Sequence, residues 1–310
     1  MSSELIFSVF IASIAAGTPF VFAALGETVT EKSGVLNLGA EGMMAVGAII
    51  GFIVTFYSHN TLLGVLAGGL AGMLFSLLFA VVTLHFYASQ VAAGLALAIL
   101  GVGLAAFLGK PFESAILPPV PTSPIPILSE IPFFGPVFFN QQWIVYLSWV
   151  LFFALVWFFN KTKTGLVVKA IGESPTAADS LGYSVLKYRY FATLFGGALS
   201  GMGGTYLSVF YTPLWVEGMV AGRGWIGLAL VVFASWKPTR VMLGAYLFGG
   251  VMITQLFLQA SGLKMNVPGQ FLSSLPYVAT ILVLVMISRN KLVIKMNSPV
   301  SLGKPFLARH

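Results

Sequence analysis

Apolar runs of about 20 residues recur from one end of this 310-residue chain to the other, each long enough to cross the hydrocarbon core of a bilayer. No other feature narrows the possible folds as much. Inside a bilayer every backbone amide and carbonyl has to be bonded within the protein, which leaves helices and closed β-barrels. None of the runs shows the roughly ten-residue alternating pattern of a membrane barrel strand. The chain is therefore expected to be an all-α polytopic membrane protein with about eight to ten spans, forming a single membrane domain over residues 1–310. Spans are expected near 5–25, 36–57, 61–84, 89–108, 142–159, 190–211, 220–236, 239–260 and 275–288. Composition agrees, since 8% of the residues are charged and 58% are hydrophobic, against roughly a quarter charged in a soluble domain. The N-terminal MSSELIFSVF lacks the basic start and small-residue cleavage site of a signal peptide, so its apolar run is expected to stay as the first span.

Basic residues orient the bundle. Lys161, Lys163, Lys169, Lys187 and Arg189 fall in the hydrophilic stretch 160–189, Lys237 and Arg240 flank Pro238, and Arg289, Lys291, Lys295, Lys304 and Arg309 fall in the tail. The positive-inside rule puts all three, and the C-terminus, on the cytoplasmic side. The net charge of +7 then reflects membrane orientation and does not point to nucleic acid. The proline-rich segment 110–141 falls outside as an ordered lid or docking loop, because its prolines forbid a continuous helix. Counting back from it places the N-terminus outside.

Several chemistries are excluded. Cysteine is absent, which removes disulfides, thiolate metal sites and thiol nucleophiles. No GxxxxGK[ST] occurs, so ATP is not held in a P-loop. His59, His85 and His310 have no second ligand at helical spacing, and Asp179 is the sole aspartate, which rules out an aspartyl dyad. Transport remains, and four polar features bear on it.

The first is GETVTEKSGVLNLGAEGMM, residues 26–44. Asn37 and Glu41 stand one turn apart in an apolar run, and a carboxylate at the bilayer centre costs about 2.5 kcal/mol or more. Gly34, Gly39 and Gly42 weaken the helix there, so a broken or re-entrant helix is expected. Glu27, Glu31 and Lys32 read as an interfacial loop. Asn37 and Glu41 either line a solute path or brace the helices around it. The second feature is EGMVAGRGWIGLALVVFASWKP, residues 217–238, where Gly222 and Gly224 flank Arg223 and predict another break before a short span. Paired glycine interruptions in the two halves of a chain are the pattern of a translocation pathway. The third lies in the cytoplasmic stretch: Ser174 is suited to cap a helix, Pro175 to open it and Gly182 to stop it. Such a two-turn helix is too short to be stable unaided. The fourth is aromatic. Trp143, Trp149, Trp157, Trp215 and Trp236 fall near expected span ends and read as interfacial anchors, with stacking on a sugar or base open for one or two that face a cavity.

These motifs, with AIGESPTAADSLGYSVLKYRYFATLFGGALSGMGG and GRGWIGLALVVFASWKPTRVMLGAYLFG, resemble the permease subunit of bacterial ABC importers in the branched-chain amino acid, ribose and simple-sugar permease family. The nucleoside-uptake branch is the most similar. The resemblance implies a permease of the bacterial cytoplasmic membrane that moves nucleosides by ATP-driven alternating access. It also implies a second, homologous permease subunit, a cytoplasmic ABC ATPase that hydrolyses the ATP, and an external solute-binding lipoprotein. This chain would then be no enzyme and would bind no cofactor. Ser174, Pro175, Thr176, Ala177, Ala178, Asp179, Ser180, Leu181 and Gly182 match the family's coupling helix, although Asp179 and Tyr183 depart from its usual residues. Asn37, Glu41 and Arg223 become candidates for the substrate pathway. The alternatives are a ribose-type sugar permease, an ion-coupled secondary transporter using Glu41, and a membrane scaffold without a solute path.

Overall fold

The computed structural model describes residues 3–132, 134–260 and 297–307, together with Ser274, Val278 and Ile281. Among these residues the fold is helical, and the sole strand-like pairing is an isolated bridge between Ile116 and Leu214. The helices are α1 (Ser3–Lys32), α2 (Ala40–Ser58), α3 (Thr61–Ala80), α4 (Gln90–Gly109), α5 (Phe134–Phe138), α6 (Trp143–Lys161), α7 (Lys163–Glu173), α8 (Pro175–Ser180), α9 (Val185–Thr205), α10 (Arg223–Phe233) and α11 (Pro238–Ala260). Helix α3 continues into a π turn at Val81–His85 and α9 into another at Tyr206–Tyr211. Among the described residues six helices, α1 to α4, α6 and α11, are long and apolar enough to cross a membrane. The chain is an all-α polytopic membrane protein. The span expected over 275–288 lies outside the described residues apart from Val278 and Ile281.

One end of the bundle is basic. Lys32 closes α1 there, Lys161 closes α6, Arg189 lies in the first turns of α9, and Lys237 precedes α11. From this end α9 rises through the centre, packed against α1, α2 and α3. Its small residues allow backbones to touch, which is how helices associate tightly without a hydrophobic drive between them. Gly201 faces Gly47 of α2 on one side and Gly68 and Gly72 of α3 on another. Gly204 lies against the Met44 carbonyl and Gly26 of α1 against Gly196. Buried hydroxyls are absorbed by the helices themselves. Thr18, Thr28, Thr55, Thr83 and Thr193 each donate to the carbonyl four residues earlier.

Pro19 sits inside α1 and cannot donate to the carbonyl of Ala15. The Tyr206 hydroxyl takes that place, donating to Ala15 O at 3.0 Å from the π turn after α9. A helix defect in one element is thus repaired by a neighbour, as a water-poor interior requires. Tyr206→Phe is expected to lower stability by about 1–3 kcal/mol, the cost of an unpaired buried carbonyl, read as a lower melting temperature in detergent. An unchanged melting temperature would show that Ala15 finds another donor.

Helix α1 corrects one expectation. Glu27 and Glu31 are not in an interfacial loop but inside the helix and wholly buried, and Lys32 is its last residue. The apolar periodicity ends near residue 25, yet nothing breaks the backbone until Gly34. The helix therefore runs on until Gly34 adopts a left-handed φ of 88°. There Gly34 N donates to Glu31 O and Val35 N to Thr30 O, closing a glycine C-cap. Trp215 and Trp236 were expected as interfacial anchors and are instead buried, at 2% and 4% exposure.

The proline-rich segment caps the end opposite the basic one. Leu117 N donates to Pro213 O, Ser123 N to Gln141 O and Ile125 N to Phe139 O. Gln142 ties it down by donating to Val120 O and Phe210 O. This cap also holds the start of the loop 212–222 that leads back into the bundle.

Candidate functional site

Two interrupted segments meet in the middle of the bundle. From Lys32 the chain turns back as seven non-helical residues, 33–39, before α2 begins. Asn37 shapes this stretch. Its Oδ1 accepts from Gly39 N at 3.0 Å, an Asx turn that prepares the first turn of α2, and its Nδ2 donates to Glu27 Oε1 at 3.0 Å. Leu36 N donates to Gln90 Oε1 at 2.7 Å, so the polar head of α4 covers another amide of the break. Helix α2 then runs parallel to α9, Gly47 beside Gly201 and Gly51 beside Thr205. Glu41 therefore stands near mid-depth, about midway along α9.

The other segment approaches from the opposite end. After the π turn at Tyr206–Tyr211 the chain bends inward as the loop 212–222, and α10 starts at the same depth as α2. Ala221 and Gly222 take positive φ values of 49° and 81°, which turn the backbone so that its amides point at α2. Glu41 receives them. Its Oε1 accepts from Gly222 N at 2.7 Å and its Oε2 from Gly224 N at 2.8 Å. Gly224 also lies against the Glu41 backbone, where a side chain would not fit. The N-termini of α2 and α10 thus abut, and one carboxylate serves both positive helix ends.

Arg223 turns away from this junction. Its Nη1 donates to Met219 O at 2.7 Å and Val220 O at 3.2 Å, stiffening the loop that delivers Gly222. Asn37 is fully buried and bonded to Glu27, whereas Glu41, at 5% exposure, reaches a cavity. Of the three pathway candidates, Glu41 alone lines that cavity, which has a volume of about 350 Å³. Its walls come from α2, from α4 through Ile99 and Val102, and from the loop and head of α10 through Trp215, Met219 and Trp225. Among the described residues of this lining, Glu41 is the one charged side chain. Trp215 packs against α4 at Gly109, and its Nε1 has no hydrogen-bond partner among the described residues. Trp225 is 47% exposed and donates to Leu38 O at 3.3 Å. Sequence reasoning passed over Trp225; its position directly after Gly222 and Gly224, at the mouth of a broken helix, was the available signal.

Glu31 belongs to a second polar cluster nearer the basic end, where Trp236 Nε1 donates to its Oε2 at 2.5 Å. This bond holds the turn between α10 and α11 against α1. Also at that end lies α8. Ser174 Oγ accepts from Ala177 N at 3.3 Å, Pro175 opens the helix, and Gly182 ends it at φ 83°. Ala178 is buried under the helix, while Thr176, Ala177, Ser180 and Leu181 are exposed and Asp179 is half-buried.

Two helices broken at mid-depth, meeting beside a cavity inside a helical membrane domain, define the architecture of a membrane permease. The family model described as "Branched-chain amino acid transport system / permease component" matches residues 9–288, and the chain belongs to that family. It is 40% identical to the putative glucose ABC transporter permease protein TsgC13 of Haloferax volcanii, over 88% of this chain and 89% of the relative. It is 34% identical to the nucleoside ABC transporter permease protein NupC of Lactococcus lactis subsp. cremoris, over 87% and 88%. Identity to the guanosine ABC transporter permease protein NupQ of Bacillus subtilis is 31%, over 88% and 89%.

Proposed function

We propose that this chain is a permease subunit of an ABC importer that carries nucleosides across the bacterial cytoplasmic membrane. The whole chain serves as one membrane domain, with its basic end and C-terminus in the cytoplasm. A second, homologous permease subunit completes the pathway, an external solute-binding lipoprotein delivers solute, and a separate cytoplasmic ATPase hydrolyses ATP. Residues 174–182 form the coupling helix that seats in the ATPase. Its exposed face, with Leu181 at 77% exposure, supports that role, because a helix this short needs a partner to hold it. ATP binding brings the coupling helices of the two subunits together, the path changes its open side, and hydrolysis resets it.

The observation that carries the nucleoside reading is the cavity beside Glu41. Its walls include two tryptophans, a methionine and aliphatic surface, and both oxygens of the Glu41 carboxylate already accept backbone amides. A flat heterocycle gains contact there, whereas a hexose would leave most of its hydroxyls without partners. Glucose is the second reading, favoured by the 40% identity to TsgC13. Uptake by the complete complex in proteoliposomes, with nucleoside and glucose in competition, separates the two. Trp225→Ala is expected to weaken nucleoside uptake by about 1–3 kcal/mol, the worth of one base stacked on an aromatic ring, and Trp225→Phe to retain most of it. Glucose uptake that nucleosides leave unaffected would reverse the assignment.

A further inference from the structure

The structure assigns a positioning role to a residue outside both the pathway and the coupling helix. Arg189 is 1% exposed, in the first turns of α9. Burying a guanidinium costs several kcal/mol unless its donors are bonded, and here they reach separate parts of the chain. Its Nε donates to Ser33 O at 3.2 Å, at the start of the broken segment. Its Nη1 donates to Lys304 O at 3.1 Å and its Nη2 to Ser301 Oγ at 3.2 Å, both in the C-terminal segment 297–307. None of these acceptors is a carboxylate. The planar fork of arginine makes such ties directional, which a lysine cannot reproduce.

The C-terminal segment also ties the region of α8 to the broken segment. Toward the coupling helix, Ser301 N and Oγ donate to Gly172 O at 2.9 and 2.8 Å, at the end of α7. Phe306 packs into one apolar cluster with Ile171 of α7, Ala178 of α8 and Val185 of α9. Toward the broken segment, Gly303 N donates to Gly34 O at 3.1 Å, and Lys32 Nζ donates to Asn297 O at 3.2 Å. Gly34 is the C-cap of α1, three residues before Asn37 and seven before Glu41. A displacement of α8 therefore reaches Ser33 and Gly34 through one packed cluster and a short set of bonds centred on Arg189.

We propose that Arg189, held by the strap 297–307, transmits movement of the coupling helix to the broken segment that sets the junction at Glu41. The inference rests on the ABC reading of α8. Its test uses the complete complex in proteoliposomes, comparing wild type with Arg189→Gln, Arg189→Lys, Ser301→Ala and a chain ended after Ser298. Three quantities are read: ATPase retained on purification, ATP hydrolysed, and solute taken up per ATP. Arg189→Gln and the shortened chain are expected to keep the ATPase bound and hydrolysing while uptake per ATP falls by about tenfold, with a smaller fall in Ser301→Ala. Arg189→Lys, which keeps the charge but loses the fork, is expected to fall with Arg189→Gln. Unchanged uptake per ATP in these variants overturns the proposal. If Arg189→Gln does not fold, Ser301→Ala decides: wild-type coupling in it overturns the proposal, and reduced coupling with full ATPase retention supports it. Wild-type uptake that ignores ATP overturns the ABC reading itself, a failure visible before any variant is made.

Discussion

Glu41→Ala is expected to leave little folded, active protein. The alanine removes both acceptors for Gly222 N and Gly224 N, two amides that meet at mid-depth, the first bond part-buried and the second buried. Each unpaired buried donor costs about 1–3 kcal/mol. Their sum is a large share of a stability that for most domains is about 5–15 kcal/mol. The loss of the negative charge between two abutting helix N-termini adds to it, since both ends are partly positive. Glu41→Gln keeps a single acceptor oxygen and is expected to fold better than the alanine variant while still losing one of the two bonds. The measurement is the yield of monodisperse protein in detergent, followed by uptake in the assembled complex. An alanine variant with wild-type yield and uptake would remove the carboxylate from any role in the junction. A glutamine variant that folds normally but fails to transport would give Glu41 a part in the path beyond bracing.

Gly204→Leu is expected to be comparably damaging for a steric reason. A Cβ on Gly204 would run into the Met44 carbonyl and the Ala48 amide of α2, both backbone atoms in the helix that carries Glu41. Backbone cannot move aside as a side chain can, so the cost is expected to exceed the usual 1–3 kcal/mol of overpacking. Gly103→Leu supplies the contrast. No described residue lies within 4 Å of a Cβ built on Gly103, and leucine favours the helix by nearly 1 kcal/mol over glycine. Protein recovered after detergent extraction should therefore fall sharply for the first variant and hold for the second. Equal recovery would show that α2 and α9 have freedom to part.

Much of the broken architecture was legible in the chain. The glycines at 34, 222 and 224 announced interruptions, because Gly34 and Gly222 turn the backbone through positive φ and Gly224 lets the Glu41 backbone approach, whereas Gly42, expected to weaken the helix too, lies inside α2. The short helix after Ser174 was legible to the residue, since its cap, its opening proline and its closing glycine are local chemistry. The extension of α1 was not. Glu27 and Glu31 resemble the polar end of a span, and their partners, Asn37 for one and Trp236 for the other, each bond one oxygen of a wholly buried carboxyl and come from other elements. Arg189 read as one more basic residue of a cytoplasmic stretch. Its acceptors, Ser33 in one direction and Ser301 and Lys304 in the other, are over a hundred positions away on either side, and no local pattern joins them.

The sequence by itself determined that this protein is a helical membrane bundle, which end of it is basic, and where its helices break. Apolar length, charge placement and glycine act within a few residues, so they can be read along a line. Only the tertiary structure decided that the two breaks meet, that Glu41 serves the N-termini of both α2 and α10, and that Asn37 and Arg223 turn to other partners. Those outcomes depend on which backbone amides lack a bond after the helices pack, and that is known only when elements far apart in the chain have come together.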